Sequence, residues 1–182
     1  YKLVWGTKDG PIRNITNALA KRVSTLTSGV PVVTAMTYGN PSLSDALRQV
    51  SDAERIIVLP LFPQYAGATT GAVQDALEQA LANSTSRYMI DFVDEYHTHP
   101  GYIDALAVSV EKSKAYRDGT PQLVFSFHGI PKSQADSVDP YPLQCRTTAS
   151  LVAARLNLPK DRWTLTFQSR FGPAEWLTPY TD

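Results

Sequence analysis

The sequence predicts an α/β fold in which parallel sheets are flanked by helices on both faces. Segments with helical spacing of apolar residues alternate with short runs of Ile, Val, Leu and Phe, and Gly- or Pro-containing turns separate them. Right-handed crossovers would place the loops that follow the strands at one edge of a sheet. The 182 residues suit one domain or two small ones. We place the domain boundary at the connector Asp118-Gly119-Thr120-Pro121, which gives domains 1–117 and 118–182.

The first part of the chain predicts two helices and two strands. Apolar residues recur at helical spacing from Ile12 to Leu26, and β-branched residues predict a strand from Val30 to Met36. A second helix follows over 43–51, with Ser42 or Ser44 as its N-cap. The strand predicted over 55–61 ends around Pro60 and Pro63, because proline cannot donate a ladder hydrogen bond.

The rest of the chain continues the alternation. A polar loop over 64–70 precedes three predicted helices and three predicted strands. The predicted helices are 71–82, 102–115 and 143–156. The predicted strands are 88–93, 123–127 and 163–168. The run from Leu123 to Phe127 is almost entirely apolar, which is typical of a strand covered on both faces.

The composition excludes several function classes. Lys and Arg total 17, as do Asp and Glu, so charge gives no reason to expect nucleic acid or an anionic membrane as a partner. No apolar run approaches the roughly 20 residues of a membrane span. The single cysteine, Cys145, excludes an internal disulfide and a cysteine-based zinc site, and indicates a reducing, cytoplasmic setting. Cys145 lies near a helix start, where a thiolate could be stabilised, but we favour a buried core residue.

His128 is the strongest candidate for chemistry. It stands where the strand ending at Phe127 opens into a loop, because Gly129 and Pro131 interrupt the strand. Ligands bind at the carboxyl ends of strands in α/β sheets. An imidazole at such a place can transfer a proton or bind a metal near neutral pH. The alternative is a buried histidine that hydrogen-bonds a neighbouring loop.

Other motifs carry less weight. The sequence has no glycine-rich phosphate-binding motif after a strand and no G-x-S-x-G nucleophile elbow. His97 and His99 could hold a metal beside Asp94 and Glu95, but we favour a solvated loop. The N-terminus has neither Met nor a signal peptide, which suggests a chain entered part-way through.

Six stretches together resemble the ferrochelatase family. In chain order they are 38–42 (YGNPS), 58–65 (VLPLFPQY), 126–131 (SFHGIP), 139–145 (DPYPLQC), 167–172 (FQSRFG) and 176–182 (WLTPYTD). Members of the family run to about twice this length across two similar α/β halves. The resemblance therefore implies the later part of the first half, without its opening strand, and a truncated start of the second half.

The resemblance implies insertion of ferrous iron into protoporphyrin IX to give protoheme, the last step of heme biosynthesis, by a lyase. It implies His128 as proton acceptor or metal ligand, two roles that compete because a protonated imidazole binds metal poorly. Phe62, Tyr65 and Trp176 would contact the porphyrin. Iron is then a substrate, no cofactor is bound permanently, and Ala66-Gly67-Ala68 replaces the loop in which some members carry an iron–sulfur cysteine. We expect no cluster and a monomer, with peripheral membrane contact left open.

The sequence also departs from the family pattern. The glutamate that faces the catalytic histidine in the family belongs to a later segment, Asp9-Gly10-Pro11 lacks the usual serine, and Phe62 stands where relatives often have tyrosine. One alternative is therefore a catalytically incomplete fragment that binds only porphyrin. The other is a cobalt chelatase acting on a related tetrapyrrole, a class that typically pairs histidines at strand ends.

Overall fold

The computed structural model describes residues 10–85, 87–119, 122–135 and 139–182. These residues form two compact units. The first runs to Val58 and includes Ala72–Asp91; the second comprises Leu59–Gly71 and Phe92–Asp182. The predicted domain boundary between residues 117 and 118 falls inside the second unit and stays a prediction. The residues before Gly10 and the Thr120-Pro121 part of the connector lie outside the described residues.

The first unit contains three helices and a two-stranded sheet. Its elements are α1 (Pro11–Leu26), α2 (Leu43–Gln49), β1 (Arg55–Val58), α3 (Ala72–Ala82) and most of β2 (Met89–Phe92). Ser42 starts α2 because its hydroxyl accepts the Asp45 N–H while the Asp45 carboxylate accepts the Ser42 N–H, a reciprocal cap. The Arg55 guanidinium pairs with the Asp91 carboxylate across the sheet.

The strand predicted from Val30 to Met36 is wrong. Exposure alternates between neighbouring residues from Pro31 to Met36, but the segment joins neither sheet. A strand exists only through hydrogen bonds to a neighbour, and no described residues supply that ladder here. The strand predicted over 55–61 also stops early, at Val58, two residues before Pro60. The described strands form two sheets of two strands each.

The second unit holds the remaining elements. They are a π-helical turn (Gly67–Gly71), α4 (Pro100–Lys112), α5 (Lys114–Arg117), β3 (Leu123–His128), α6 (Lys132–Ala135), α7 (Tyr141–Arg155), a 3₁₀ turn (Lys160–Arg162) and β4 (Trp163–Gln168). Strands β3 and β4 are parallel, and His128 lies opposite Gln168 in their register. The parallel α/β character that the sequence predicts is therefore confirmed in this pair.

Helix α7 forms the centre of the second unit. One cluster of buried side chains joins it to α4: Ile103, Ala107, Val152 and Leu156. Another joins it to β4: Cys145, Ala149, Leu165 and Phe167. Small residues on α7 let both neighbours approach closely, which is why this helix is buried along most of its length. The loop after β3 leads into the first turn of α7, at Tyr141.

Three further predictions need correction. Strand β3 is not covered on both faces, since Val124 is 49% exposed and exposure alternates along the strand. The long helix predicted to Ala115 ends at Lys112, and Ser113 caps the short helix α5 instead. A single turn of helix, α6, interrupts the predicted loop after β3. Within the described ranges, none of the helices combines the length and the apolar character that crossing a membrane requires.

Candidate active site

His128 ends β3 with its side chain exposed, beside the end of β4. The next two residues, Gly129 and Ile130, are buried, so the chain turns into the unit directly after the histidine. The imidazole can therefore meet a ligand at the carboxyl edge of the β3–β4 pair, as ligands do in parallel sheets. This placement excludes the alternative of a buried histidine.

The peptide group between His128 and Gly129 is held at both ends. Its N–H, from Gly129, donates to the Gln168 carbonyl at 2.8 Å. Its carbonyl, from His128, accepts from the Tyr141 hydroxyl at 2.9 Å. The first bond continues the parallel ladder, whereas the second comes from the first turn of α7. The end of β3 is thus fixed by a neighbouring strand and by a helix.

Position 129 has little room for a side chain. A Cβ atom there would lie 3.0 Å from the Gln168 carbonyl oxygen and 3.3 Å from Cε3 of the Trp176 ring. The first contact is with backbone and cannot be relieved by a rotamer change. Any larger residue would push β4 or the indole away from the histidine's strand.

Trp176 packs behind this turn. It is only 6% exposed, and its indole N–H donates to the Phe171 carbonyl at 3.0 Å. Backbone pairing with Pro131 and a bond from the Leu177 N–H to the Ile130 carbonyl at 3.1 Å hold it there. Phe171, with its ring centroid 5.1 Å from the indole, is 75% exposed. Trp176 is therefore brought next to the His128 turn, while the more accessible aromatic surface belongs to Phe171.

Tyr65 is anchored to helix α7, the helix that also holds the end of β3 at His128. Its backbone N–H donates to the Gln144 side-chain carbonyl at 2.7 Å. Two residues on, the Gly67 N–H donates to one Asp139 carboxylate oxygen at 2.8 Å, and the Tyr141 N–H donates to the other at 3.0 Å. The loop after β1 and the end of β3 thus meet at the start of α7. Phe62, at the beginning of that loop, is 39% exposed.

Burial keeps the phenol and thiol of α7 protonated. Loss of water around Tyr141 raises the pKa of its hydroxyl, and the nearby Cys145 adds to the effect. Burial likewise raises the pKa of Cys145 to about 12. The Cys145 side chain is fully buried, so its assignment as a core residue is confirmed and a reactive thiolate is excluded. Tyr141 remains a hydrogen-bond donor across the physiological pH range.

The two other histidines, His97 and His99, have different surroundings. His97 is 9% exposed, and its Nδ1 has no hydrogen-bond partner among the described residues, with the Glu95 carboxylate 3.5 Å away. His99 instead caps α4, because its Nδ1 accepts the Gly101 N–H at 3.2 Å. The solvated-loop interpretation is therefore wrong for His97, which packs under α7 and whose carbonyl accepts the Thr148 hydroxyl. Among described residues, no group of three or more His, Cys, Asp or Glu converges as a metal site.

Sequence reasoning missed the residues that support the histidine. Asp139, Tyr141 and Gln144 all lie in the DPYPLQC stretch, which the sequence marks as a motif without indicating a role for any of them. The available signal is the aromatic residue next to a helix start, shortly after the histidine's loop. Which carbonyl its hydroxyl reaches depends on how α7 packs against β3, and that cannot be read from spacing alone.

Comparison with known proteins agrees with this architecture. The family model described as ferrochelatase matches residues 1–182. Curated ferrochelatases from Aromatoleum aromaticum and Rhizobium meliloti are each 45% identical over the whole chain, which covers 52% and 56% of those proteins respectively. A Shewanella oneidensis protein named ferrochelatase 1 is 41% identical over the same span, which is 57% of its length.

The chain spans about half the length of the curated relatives that it matches. The motifs that the sequence shares with the family, including the SFHGIP turn and the DPYPLQC helix start, are the segments that build the His128 edge. With a family model matched from end to end and an exposed histidine presented by those motifs, the chain belongs to the ferrochelatase family.

Proposed function

We propose that the complete protein containing this chain inserts ferrous iron into protoporphyrin IX to form protoheme. The observation that carries the proposal is the exposed His128 at the end of β3, built from family motifs and held by Tyr141 and Gln168. Relatives named ferrochelatase at 41–45% identity support the same reaction. In this proposal the enzyme is a lyase of heme biosynthesis that acts in the cytoplasm.

The reaction defines what the site must do. Two N–H bonds of the porphyrin break, two protons leave, and four nitrogen–iron bonds form to Fe²⁺, so charge and atoms balance without an oxidant. A group with a pKa near neutrality is suited to accept such a proton, and imidazole is the side chain with that property. An exposed imidazole at a sheet edge can reach a flat macrocycle lying against that edge.

His128 serves in this proposal as the acceptor of a pyrrole proton, with ligation of incoming iron as the competing role. An imidazole that has taken a proton at both ring nitrogens cannot bind a cation, so the two roles exclude each other at a given moment. Among the described residues no further metal ligands cluster at this edge, which favours proton transfer.

The porphyrin contacts follow from the placement of aromatic side chains. We propose that Phe62 and Tyr65, on the loop after β1, and Trp176, behind the His128 turn, contact the macrocycle. Tyr65 and Trp176 are supported by their connections to the elements that hold His128, namely α7 and the Gly129 turn. Phe62 is supported by its exposure alone. The exposed Phe171 would extend the apolar surface that Trp176 begins.

No permanently bound cofactor belongs to this proposal. Iron is consumed as a substrate, and the chain's one cysteine is a buried residue of α7, so it offers no cysteine set for an iron–sulfur cluster. Protoporphyrin IX and ferrous iron are the proposed partners. We propose a monomer that reaches its porphyrin without a nucleic-acid partner, with membrane contact limited to the periphery.

Two alternatives are separated by one pair of assays. Porphyrin fluorescence titration measures binding, and anaerobic metal-insertion assays with Fe²⁺ and with Co²⁺ measure chemistry, each for the complete native chain and for these 182 residues. We expect the complete chain to bind porphyrin and insert Fe²⁺. Binding without insertion by the 182 residues would identify them as an incomplete piece. Insertion of Co²⁺ but not Fe²⁺ by the complete chain would contradict the proposed function and favour a cobalt chelatase.

A further inference from the structure

We infer that Tyr141 is a positioning residue, whose hydroxyl fixes the plane of the His128–Gly129 peptide and thereby aims the His128 imidazole. The inference rests on the proposed role of His128 in proton transfer. It adds to that role a second residue that touches neither porphyrin nor metal. Its basis is the pair of hydrogen bonds at opposite ends of one peptide group, at 2.8 Å and 2.9 Å.

The clamped peptide lies at the point where the strand would otherwise be free to rotate. β3 pairs with β4 alone among the described strands, so no described strand binds its opposite edge at His128. Gly129 follows, and a glycine lets the adjoining peptide turn at little steric cost. The Gln168 carbonyl restrains only the N–H end of this peptide. Without the Tyr141 hydroxyl, the His128 carbonyl would accept a hydrogen bond from water instead of from the protein. The His128 side chain would then sample several directions.

Tyr141 is itself rigidly held, which is what a positioning residue requires. Its ring is half-buried against the cluster of Cys145, Ala149 and Phe167, so the phenol has little freedom. Its backbone N–H is bound by Asp139, whose carboxylate also binds Gly67 in the loop that carries Tyr65. The start of α7 therefore holds both the His128 peptide and the loop that carries Tyr65.

A purely structural role would be the competing explanation: the hydroxyl would satisfy an edge carbonyl and contribute only to stability. The two explanations differ in three observables. Positioning predicts a fall in kcat with little change in the porphyrin KM, a change in the ring signal of His128, and no more destabilisation than a matched control. A structural role predicts destabilisation alone.

The test is Tyr141→Phe in the complete native chain, with Tyr116→Phe as control. Tyr116 is also a half-buried tyrosine, packed against the α4–α7 cluster far along the sequence from the site. We expect kcat for Fe²⁺ insertion to fall about 10-fold in Tyr141→Phe, with the porphyrin KM within about 2-fold. The thermal midpoint should shift no more than in Tyr116→Phe, which should keep the native kcat.

Histidine NMR provides the readout that does not depend on turnover. The Cε1–H signal of His128, assigned by its loss in His128→Ala, should broaden or split in Tyr141→Phe and stay single in Tyr116→Phe. Gly129→Ala, which crowds the other end of the same peptide, should lower kcat as well. A native kcat or an unchanged His128 signal in Tyr141→Phe would overturn the inference. Insertion retained in His128→Ala would overturn the proposed role of His128 instead, and no insertion by the native chain would overturn the proposed function, so the failures are distinguishable.

Discussion

Helices α1 and α7 have nearly equal lengths, 16 and 15 residues, and opposite environments. Helix α1 has a clear apolar stripe, yet no residue of it is buried, and Ile12 and Leu26 are 72% and 81% exposed. Helix α7 has a weak apolar pattern and contains several side chains with no exposure at all, among them Ala149 and Val152. In these two helices, therefore, the one with the clearer amphipathic pattern is the less buried.

The contrast shows that pattern predicts where a helix forms, whereas burial depends on what packs against it. Several buried side chains of helix α7 are small, which lets α4 pack against one face of the helix and β4 against another. The described residues of its own unit do not cover the apolar stripe of α1. Four predictions test this difference, beginning with the substitution that should cost most.

Ile103→Gln should destabilise the chain strongly. Ile103, on α4, is 7% exposed and packs into the cluster with Val152 of α7. A glutamine there loses apolar contacts and buries an amide without partners, which costs about 3 to 5 kcal/mol. Urea unfolding followed by circular dichroism measures the change in unfolding free energy. A loss below about 1 kcal/mol would show that the α4–α7 interface is not a true core.

Gln144→Ala should have the next largest effect. The Gln144 amide accepts the Tyr65 N–H and donates to the Glu95 carboxylate, so truncation leaves partly buried groups unpaired. We expect a loss of about 2 to 3 kcal/mol in unfolding free energy. Gln74→Ala, on the exposed face of α3, is the matched control and should change stability by less than about 0.5 kcal/mol. Equal effects of the two substitutions would contradict the anchoring of the Tyr65 loop to α7.

The thiol of Cys145 should be unreactive while the chain is folded. Its pKa is about 12 in the folded state against 9.0 for an unperturbed thiol, because burial penalises the thiolate. The folded state therefore holds the proton more tightly, so this contribution to stability is complete below pH 9 and declines as pH rises from about 9 towards 12.

Iodoacetamide labelling at pH 8.5 checks this prediction. The folded chain should react about 100-fold or more slowly than the urea-unfolded chain, since only the thiolate is nucleophilic. Comparable rates in the two states would mean that the α7 core opens readily. Between pH 8 and pH 10.5 the unfolding free energy of the parent should fall relative to that of Cys145→Ala, which has no thiol to titrate.

Ile15→Gln should have the smallest effect. The substitution is chemically the same as at position 103, but Ile15 is 68% exposed on α1. The 182-residue chain should lose less than about 0.5 kcal/mol in unfolding free energy. A loss close to that of Ile103→Gln would show that the α1 stripe is covered in solution, and the contrast between the two helices would fail.

Much of the fold was accessible from sequence because its signals are local. Strand β4 matches its predicted bounds, and α1 and α3 begin within a residue of theirs. The failures are the elements that need a distant partner. Among the described residues, the stretch from Val30 has the composition of a strand but no ladder partner, and no second layer covers β3 as its apolar run suggests.

The residues of the candidate site also divide into those that local sequence predicts and those that depend on a distant partner. His128 was accessible because a histidine between an apolar run and a glycine is visible in one stretch of sequence. Tyr141 was not, because its hydroxyl reaches the His128 carbonyl only through the packing of α7 against the sheet. His97 was misjudged for the same reason: its loop looks polar, but α7 covers it. The predicted contacts of Phe62, Tyr65 and Trp176 with porphyrin remain predictions.

The most direct test of the account is the rate of Fe²⁺ insertion by the complete native chain carrying His128→Ala, with porphyrin binding measured in parallel. Removing the proposed proton acceptor should lower kcat by about 100-fold or more, because general-base catalysis contributes on that scale. Porphyrin affinity should stay within about 3-fold of the native value, since an imidazole adds little to the grip on a large apolar ring. Insertion at the native rate, with binding intact, would contradict the claim that His128 carries the chemistry.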